Sequence, residues 1–473
     1  MILTRNYRQY LTVFCALLAG KGSLLAQTEN NQNKKYNVLF IASDDLNSDM
    51  HCYGDSFVKT PNLDRLVKIG VRFDRAYNQC PLSNPSRASL MTGYRPDKTG
   101  VKRNNVHFRE NLPETVTIAQ LFKENGYFSG RVGKIFHYGV PGDIGTDGSD
   151  DPASWNQKFN PIGIDKTDEH KVTNYTPHRG LGSSLSFMAT DAEDNEHTDG
   201  ISANVAIQMM RQQKENPFFM AVGFYRPHTP YIAPKKYFDL YPLDKIKLPE
   251  ERADDWVNKP EVAKFTKPLH WDVPEQKRKE VLQAYYASIS FMDAQVGKLL
   301  DALKELGIED NTIIVFWSDH GYLTGQHGQW MKQMLFEHVA QTPLIISVPG
   351  LTKGKPSSRI VEFVDIYPTL AELCGLDAPK DLHGKSLVPL LKKPDIVWDF
   401  PAFTQITRNT GNKTVEGRSI RVERYRYTEW DEGKEGAELY DYHNDSREFN
   451  NLAYKPEYKK MVDELSKQLH NSY

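Results

Sequence analysis

The chain has 473 residues, enough for one large domain with an appendage or for two or three ordinary domains, and its composition is that of an ordinary soluble globular protein. Its formal charge of −2 at pH 7 excludes a nucleic-acid binder that works by overall basicity and leaves room for a local basic pocket.

The first 26 residues read as an export signal. Arg5 and Arg8 supply positive charge, residues 11–19 form an apolar run too short to span a bilayer, and Ser23-Leu24-Leu25-Ala26 offers a cleavage site after Ala26. Cys15 lies inside that run and lacks the small residues that precede a lipid-anchor cysteine. No other stretch is long and apolar enough to cross a membrane. After cleavage Cys52, Cys80 and Cys374 remain, an odd number without zinc or redox spacing, expected as small buried hydrophobes. Residues 27–36 are a polar lead-in.

Residues 37–43 (NVLFIAS) form an apolar run of the buried parallel-strand kind. Thr60-Pro61 opens a helix that runs to residue 69. A helix over 115–125 precedes a strand at 127–133, and a helix over 201–212 precedes an apolar run at 218–224. A long amphipathic helix over 275–306 leads into the strand 312–317 (TIIVFW), and residues 343–348 (PLIISV) form another buried strand. This alternation predicts an α/β sandwich with a largely parallel sheet. Residues 138–200, rich in Gly, Asp and Asn, form a long irregular insertion. Near residue 395 the pattern changes to period two, over 418–430 and around Leu439-Tyr440-Asp441, closed by a helix over 456–470. The division expected is a signal over 1–26, a catalytic α/β domain over 27–395 and a small antiparallel α+β subdomain over 396–473.

Two of the predicted strands end in acids. Asp44-Asp45 follows the first, and Asp319-His320-Gly321 follows the one at 312–317. Ligands of open parallel sheets bind at the carboxyl ends of the strands, so these ends converge on a hard oxygen site. Three carboxylates suit Ca²⁺, while His320 leaves Mg²⁺ or another metal open. Elsewhere, Ser83-Asn84-Pro85-Ser86-Arg87 places a small nucleophile before a first-turn proline, at the positive end of a helix that favours anions. Arg87 returns to the same spot one turn later.

These residues resemble the signature of type I sulfatases, in which a Cys or Ser is followed by Pro two residues on, Arg four residues on and a closing Thr-Gly, here Thr92-Gly93. Counted from Cys80, those places hold Leu82 and Asn84, so only Ser83 is in register. The resemblance implies an alkaline-phosphatase-like fold and oxidation of Ser83 to formylglycine by a radical maturase. It also implies one divalent cation, most often calcium, on Asp44, Asp45, Ser83, Asp319 and His320. Lys134 and Lys332 match the lysines that contact sulfate, and His137, in Gly133-Lys134-Ile135-Phe136-His137, matches the histidine that steadies the second hydroxyl. His228, in Arg226-Pro227-His228-Thr229-Pro230, matches the one that protonates the leaving alkoxide. His327 is expected to be structural.

Within the family the chain looks most like iduronate-2-sulfatase and the bacterial uronate 2-O-sulfatases, through Asp319-His320, the two motifs just quoted, Asp150-Asp151-Pro152-Ala153-Ser154-Trp155 and the 325–332 loop. Asp151 then corresponds to a substrate-contacting acid. Ser83 in place of the animal enzyme's Cys implies a bacterial, exported, periplasmic enzyme acting on a sulfated oligosaccharide such as heparan or chondroitin sulfate. Two rivals share the fold: a phosphatase or phosphodiesterase with unmodified Ser83, for which the spacing of a second metal site is missing, and a non-catalytic degenerate sulfatase, against which all the expected polar residues are present.

Overall fold

The computed structural model describes residues 35–411 and 413–472. The expected signal over 1–26 and its Cys15 lie outside the described residues.

Eight strands form the central sheet: β1 (Asn37–Ser43), β2 (Val71–Tyr77), β3 (Phe128–Gly133), β4 (Gln157–Phe159), β5 (Phe218–Gly223), β6 (Thr312–Ser318), β7 (Leu344–Ser347) and β8 (Ser357–Glu362). Their order is β8-β2-β7-β6-β1-β5-β3-β4. All neighbours pair in parallel except β7, which runs against both β2 and β6. The central strands β1, β5 and β6 are buried along their whole length, as expected of strands covered on both faces.

Period two divides the side chains of each strand between two cores. On one face Leu39, Ile41, Met220, Val222, Ile314 and Phe316 join a large cluster with the helices α4 (Thr198–Gln213) and α5 (Glu275–Glu305). The short helix α1 (Pro61–Val67) packs on α5. Phe40 points to the opposite face, where its ring meets Phe219 at 5.4 Å and Trp317 at 5.3 Å. Three helices cover that face: α2 (Ser83–Thr92), α3 (Ile118–Glu124) and α6 (Ile366–Leu373). Helix α3 starts later than the sequence suggested because Thr117 caps it, its side chain accepting from Gln120 N–H at 3.1 Å. The stretch 138–200 holds only short strands, single-turn helices and turns before α4.

The C-terminal part forms a second, antiparallel sheet of β9 (Ala402–Thr410), β10 (Lys413–Arg421), β11 (Tyr425–Trp430) and β12 (Ala437–Asp441), with helix α7 (Lys459–His470) closing one face through Leu465 and Leu469. The single alternating run predicted over 418–430 is the end of one strand, a turn at 422–424 and a second strand. Cys52, Cys80 and Cys374 are free; the first two are buried.

Glu337 ties the two sheets together. Tyr77, at the end of β2, donates to it at 2.7 Å, Tyr442 donates at 3.1 Å, and Arg426 of β11 pairs with it directly. Burial would raise its pKa, but Arg421 and Arg426 outweigh burial and hold it down to about 2, against an ordinary 4.5. A carboxyl held low when folded binds protons more weakly than in the unfolded chain. Its contribution is therefore complete above pH 4.5 and lost as pH falls toward 2, and amounts to roughly 3 kcal/mol. Glu337→Gln is expected to be less stable than the parent at neutral pH in urea melts, with the gap closing on acidification. A gap that stays constant with pH would assign the acid lability to other carboxyls.

Candidate active site

Four adjacent parallel strands end side by side. In β1 and β6, Ser43 faces Ser318, so Asp44-Asp45 and Asp319-His320 emerge together. On the other side of β1, Ala42 faces Gly223 of β5, which in turn faces Gly133 of β3. The 225–230 loop therefore leaves beside Asp44, and Lys134 leaves beside that loop. A Cβ on Gly133 (φ +72°) would lie 2.2 Å from Gly223 O, and one on Gly223 would lie 1.9 Å from Lys134 O. Only two glycines let these strand ends abut. Ser83 opens α2, a wholly buried helix, and Ser86 of its first turn hydrogen-bonds to the carbonyl of Asp319.

The result is a buried cluster of three carboxylates and three cations. Lys134 Nζ donates to Asp44 Oδ2 at 2.5 Å, and Lys332 Nζ to Asp45 Oδ1 at 2.5 Å. Arg87 spans Asp44 Oδ1 at 3.2 Å and Asp319 Oδ2 at 3.1 Å, and gives Nη1 to the carbonyls of Lys134 and Ile135. Ser83 Oγ lies 3.5 Å from Asp44 Oδ1 and 3.2 Å from His320 Nε2. His320 donates Nδ1–H to Gly321 O at 2.9 Å, which leaves Nε2 facing Ser83, Asp45 and Asp319.

Burial opposes ionisation of Asp44, but Lys134, Arg87 and Lys332 overcome it and hold its carboxyl well below the usual range. Asp45 shifts the other way. Burial, reinforced by Asp44 and Asp319, raises its pKa against the pull of Lys332 and His320. Burial and the nearby lysines keep His228 and His137 well below their ordinary value.

Asp45, Asp319 and His320 each turn one ligand atom to a common point, all three atoms lying within 4.8 Å of one another. Asp45 Oδ2 is buried without a hydrogen-bond partner, and Asp45 has a left-handed backbone (φ 61°). An orphaned carboxylate oxygen, an acid whose ionisation is disfavoured and a mostly oxygen donor set fit a divalent cation. The cluster's charges balance without one, so such an ion would leave the pit positive.

His228 is held above this point. Its Nδ1–H donates to Thr229 O at 2.6 Å, and Nε2 faces Asp45 Oδ2 at 3.6 Å. Both prolines around it follow cis bonds. Arg226 of the quoted motif and two residues that sequence reasoning missed, Asp165 and Asp199, support the loop. Arg226 is buried, gives its guanidinium to the carbonyls of His228, Pro230 and Ile232, and pairs with Asp165 at 2.7 Å. Asp199, in the first turn of α4, accepts the N–H groups of Tyr225 and Arg226 at 2.8 and 2.9 Å. No local motif marks Asp165 or Asp199, because each finds its partners far along the chain. His137 follows Lys134 on the same loop, its Nδ1 buried and unpaired. His327 bonds Asp255 at 3.0 Å and stacks on Phe336, the structural place expected of it.

Asp151 is the exception. Arg109 takes both its oxygens, at 2.7 and 2.9 Å, Ser154 donates to it at 2.6 Å, and among the described residues no hydrogen bond joins its side chain to the cluster. It is 1% exposed and anchors Arg109.

A family model described as Sulfatase matches residues 36–376, and the model for the C-terminal region of N-sulphoglucosamine sulphohydrolase matches residues 325–473. The chain is 34% identical to a sulfatase of Formosa agariphila, over 97% of this chain and 90% of that one. It is 32% identical to iduronate 2-sulfatase of Homo sapiens, over 85% of this chain and 86% of that one. The phosphonate monoester hydrolase of Agrobacterium radiobacter shares the fold with a TM-score of 0.76 and 25% identity, covering 93% of this chain and 95% of that one.

Chelation is expected to lower the melting temperature and added Ca²⁺ to restore it, the stabilisation amounting to about 2.7 kcal/mol at a hundredfold excess over Kd. Asp45→Asn should lose that restoration, read by calorimetry; a variant that still responds fully would place the ion elsewhere. Asp199→Asn keeps one acceptor of two and is expected to cost about 1–3 kcal/mol of stability. It should also lower kcat by displacing His228, and an unchanged kcat would show that the loop holds without it.

Proposed function

The chain belongs to the sulfatase family, hydrolases of sulfuric esters, and we propose that it removes the 2-O-sulfate of a uronic acid, saturated or unsaturated, from heparin/heparan or chondroitin/dermatan sulfate oligosaccharides. The observation that carries this reading is the likeness to iduronate 2-sulfatase over most of both chains, joined to a pit whose buried cations suit a sulfate. Export to the periplasm is part of the reading, supported by the charged and apolar pattern of residues 1–26.

In this reading Asp44, Asp45, residue 83, Asp319 and His320 hold a calcium ion. When bound, the ion withdraws charge from the sulfate and lowers the pKa of the attacking hydroxyl. A radical maturase oxidises Ser83 to formylglycine, whose hydrated aldehyde has two hydroxyls, one for attack on sulfur and one for release, where serine has a single one. Arg87, Lys134 and Lys332 neutralise the equatorial oxygens as charge builds on them. His228 carries its fixed proton on Nδ1, so Nε2 is the atom that delivers a proton to the departing sugar oxygen. Burial, then Lys332 and Lys134, depress its pKa, and the incoming anion offsets the two lysines. His137, with Nδ1 unpaired, takes the proton of the second hydroxyl.

The phosphonate monoester hydrolase likeness supports a second reading, phosphoryl or phosphonyl ester hydrolysis on the same frame. Mass spectrometry of the tryptic peptide spanning residues 76–87, from protein made with its maturase, separates the two. A loss of two hydrogens at Ser83, with sulfate released from a 2-O-sulfated uronate disaccharide and turnover falling about 10⁴-fold or more in Ser83→Ala, is the expected result. Intact serine in protein that hydrolyses a phosphate or phosphonate ester would move the assignment to the second reading. Release only from other sulfate positions would keep the chemistry and overturn the uronate.

A further inference from the structure

Beside the pit lies a separate cavity of about 730 Å³ whose lining includes Lys102, Arg103, Lys264, Lys267 and Arg408 and no carboxylate. The chain itself links it to the pit. Leu82 and Gln333, which line it, are the neighbours of Ser83 and Lys332, and Asn104, which also lines it, accepts the backbone N–H of Asn84 at 3.1 Å.

Three of the five cations already pair with carboxylates, and a fourth, Arg103, is exposed. Lys102 pairs with Asp97 at 2.7 Å and with Glu416, Lys264 and Lys267 share Glu261, and Arg103 donates to Asn409 Oδ1 at 3.0 Å. Arg408, on β9, differs. It is 8% exposed, and among the described residues no carboxylate lies within ion-pair distance of it. Nη1 donates to the carbonyls of Val262 and Lys264 at 2.6 and 2.7 Å, Nη2 donates to Gln333 O, and Nε has no acceptor. Its guanidinium lies over Trp430 at 5.2 Å. Burial lowers its pKa to about 9, opposed only by Glu438, so it stays charged at neutral pH.

A guanidinium withdrawn from water without a counter-ion is costly, and three carbonyls compensate it in part. The chemistry it lacks is an oxyanion, for which the guanidinium fork is suited. The carbonyl of Gln333 fixes it one residue from the lysine that faces the sulfate.

We propose that Arg408 binds a second anionic group of the substrate, a carboxylate or a further sulfate, while the ester sulfate lies against Ser83. The C-terminal sheet is then a specificity element that favours polyanionic glycans over simple sulfate esters. This rests on the reading of the substrate as an anionic sulfated oligosaccharide.

The test is calorimetric binding to the full chain carrying Ser83→Ala, which needs neither maturation nor turnover. The probes are an unsaturated 2-O-sulfated uronate disaccharide with a further sulfate on its hexosamine, its carboxyl methyl ester, and p-nitrophenyl sulfate as an ester without a second anion. Adding Arg408→Gln is expected to raise the Kd of the disaccharide about tenfold to a hundredfold relative to that of the aryl sulfate. Thr407→Glu leaves Arg408 intact and places a carboxylate in the same cavity; it should shift the ratio in the same direction and guards against a folding defect in Arg408→Gln. If methyl esterification of the probe abolishes the effect of Arg408→Gln, the group bound is the carboxylate; if the effect persists, it is a further sulfate. Equal weakening of disaccharide and aryl sulfate, an unchanged ratio in both variants, or no binding of the disaccharide would overturn the proposal. Binding that responds as expected, in a matured parent enzyme that does not release the 2-O-sulfate, would instead overturn the uronate reading and leave the anion subsite standing.

Discussion

Six charges buried in one place govern this molecule. Asp44, Asp45 and Asp319 would not ionise together in a protein interior on their own, since each pays to leave water and each repels the others. Arg87, Lys134 and Lys332 make the arrangement tenable by direct contact. Asp44 is fully committed to two of those cations, whereas Asp45 is left with one oxygen unpaired and its ionisation disfavoured. The charge balance is thus complete in number and incomplete at one atom, which is where a metal fits.

The parallel sheet makes such a concentration possible. Because β6, β1, β5 and β3 run the same way in adjacent places and close register, residues far apart along the chain leave the sheet at one edge. The polar groups then need no loop of their own to find each other, only two glycines where β3 meets β5. Position is enforced from behind by Asp199 and Arg226, which commit their hydrogen bonds to the 225–232 backbone, and by Asp165, which holds the Arg226 guanidinium.

Much of this was legible in the sequence because strand cores and site residues are neighbours along the chain. Residues 37–43 and 312–317 are apolar without interruption, and the acids come directly after them. What was not legible has identifiable causes. β2 (VRFDRAY) and β8 (SSRIVE) escaped notice because they lie toward one side of the sheet, partly buried, and their charged residues dilute the apolar signal. The reversed direction of β7 depends on its partners and not on its composition. Asp151 reads from the sequence as a substrate-contacting acid, and its pairing with Arg109 is a relation that local sequence does not carry. Arg408 carried no motif at all. What distinguishes it is the lack of a carboxylate beside a buried charge, a relation no local pattern encodes.

Ser83 is 1% exposed and opens a helix whose ten residues are all buried. Nothing the size of a protein can bring a reactive centre to its Cβ while α2 is docked. Any enzymatic remodelling of that side chain is therefore a matter of timing. It belongs to the interval between synthesis and folding, when residues 76–87 are still an open peptide, and the closing of the structure around Ser83 makes whatever was done there permanent.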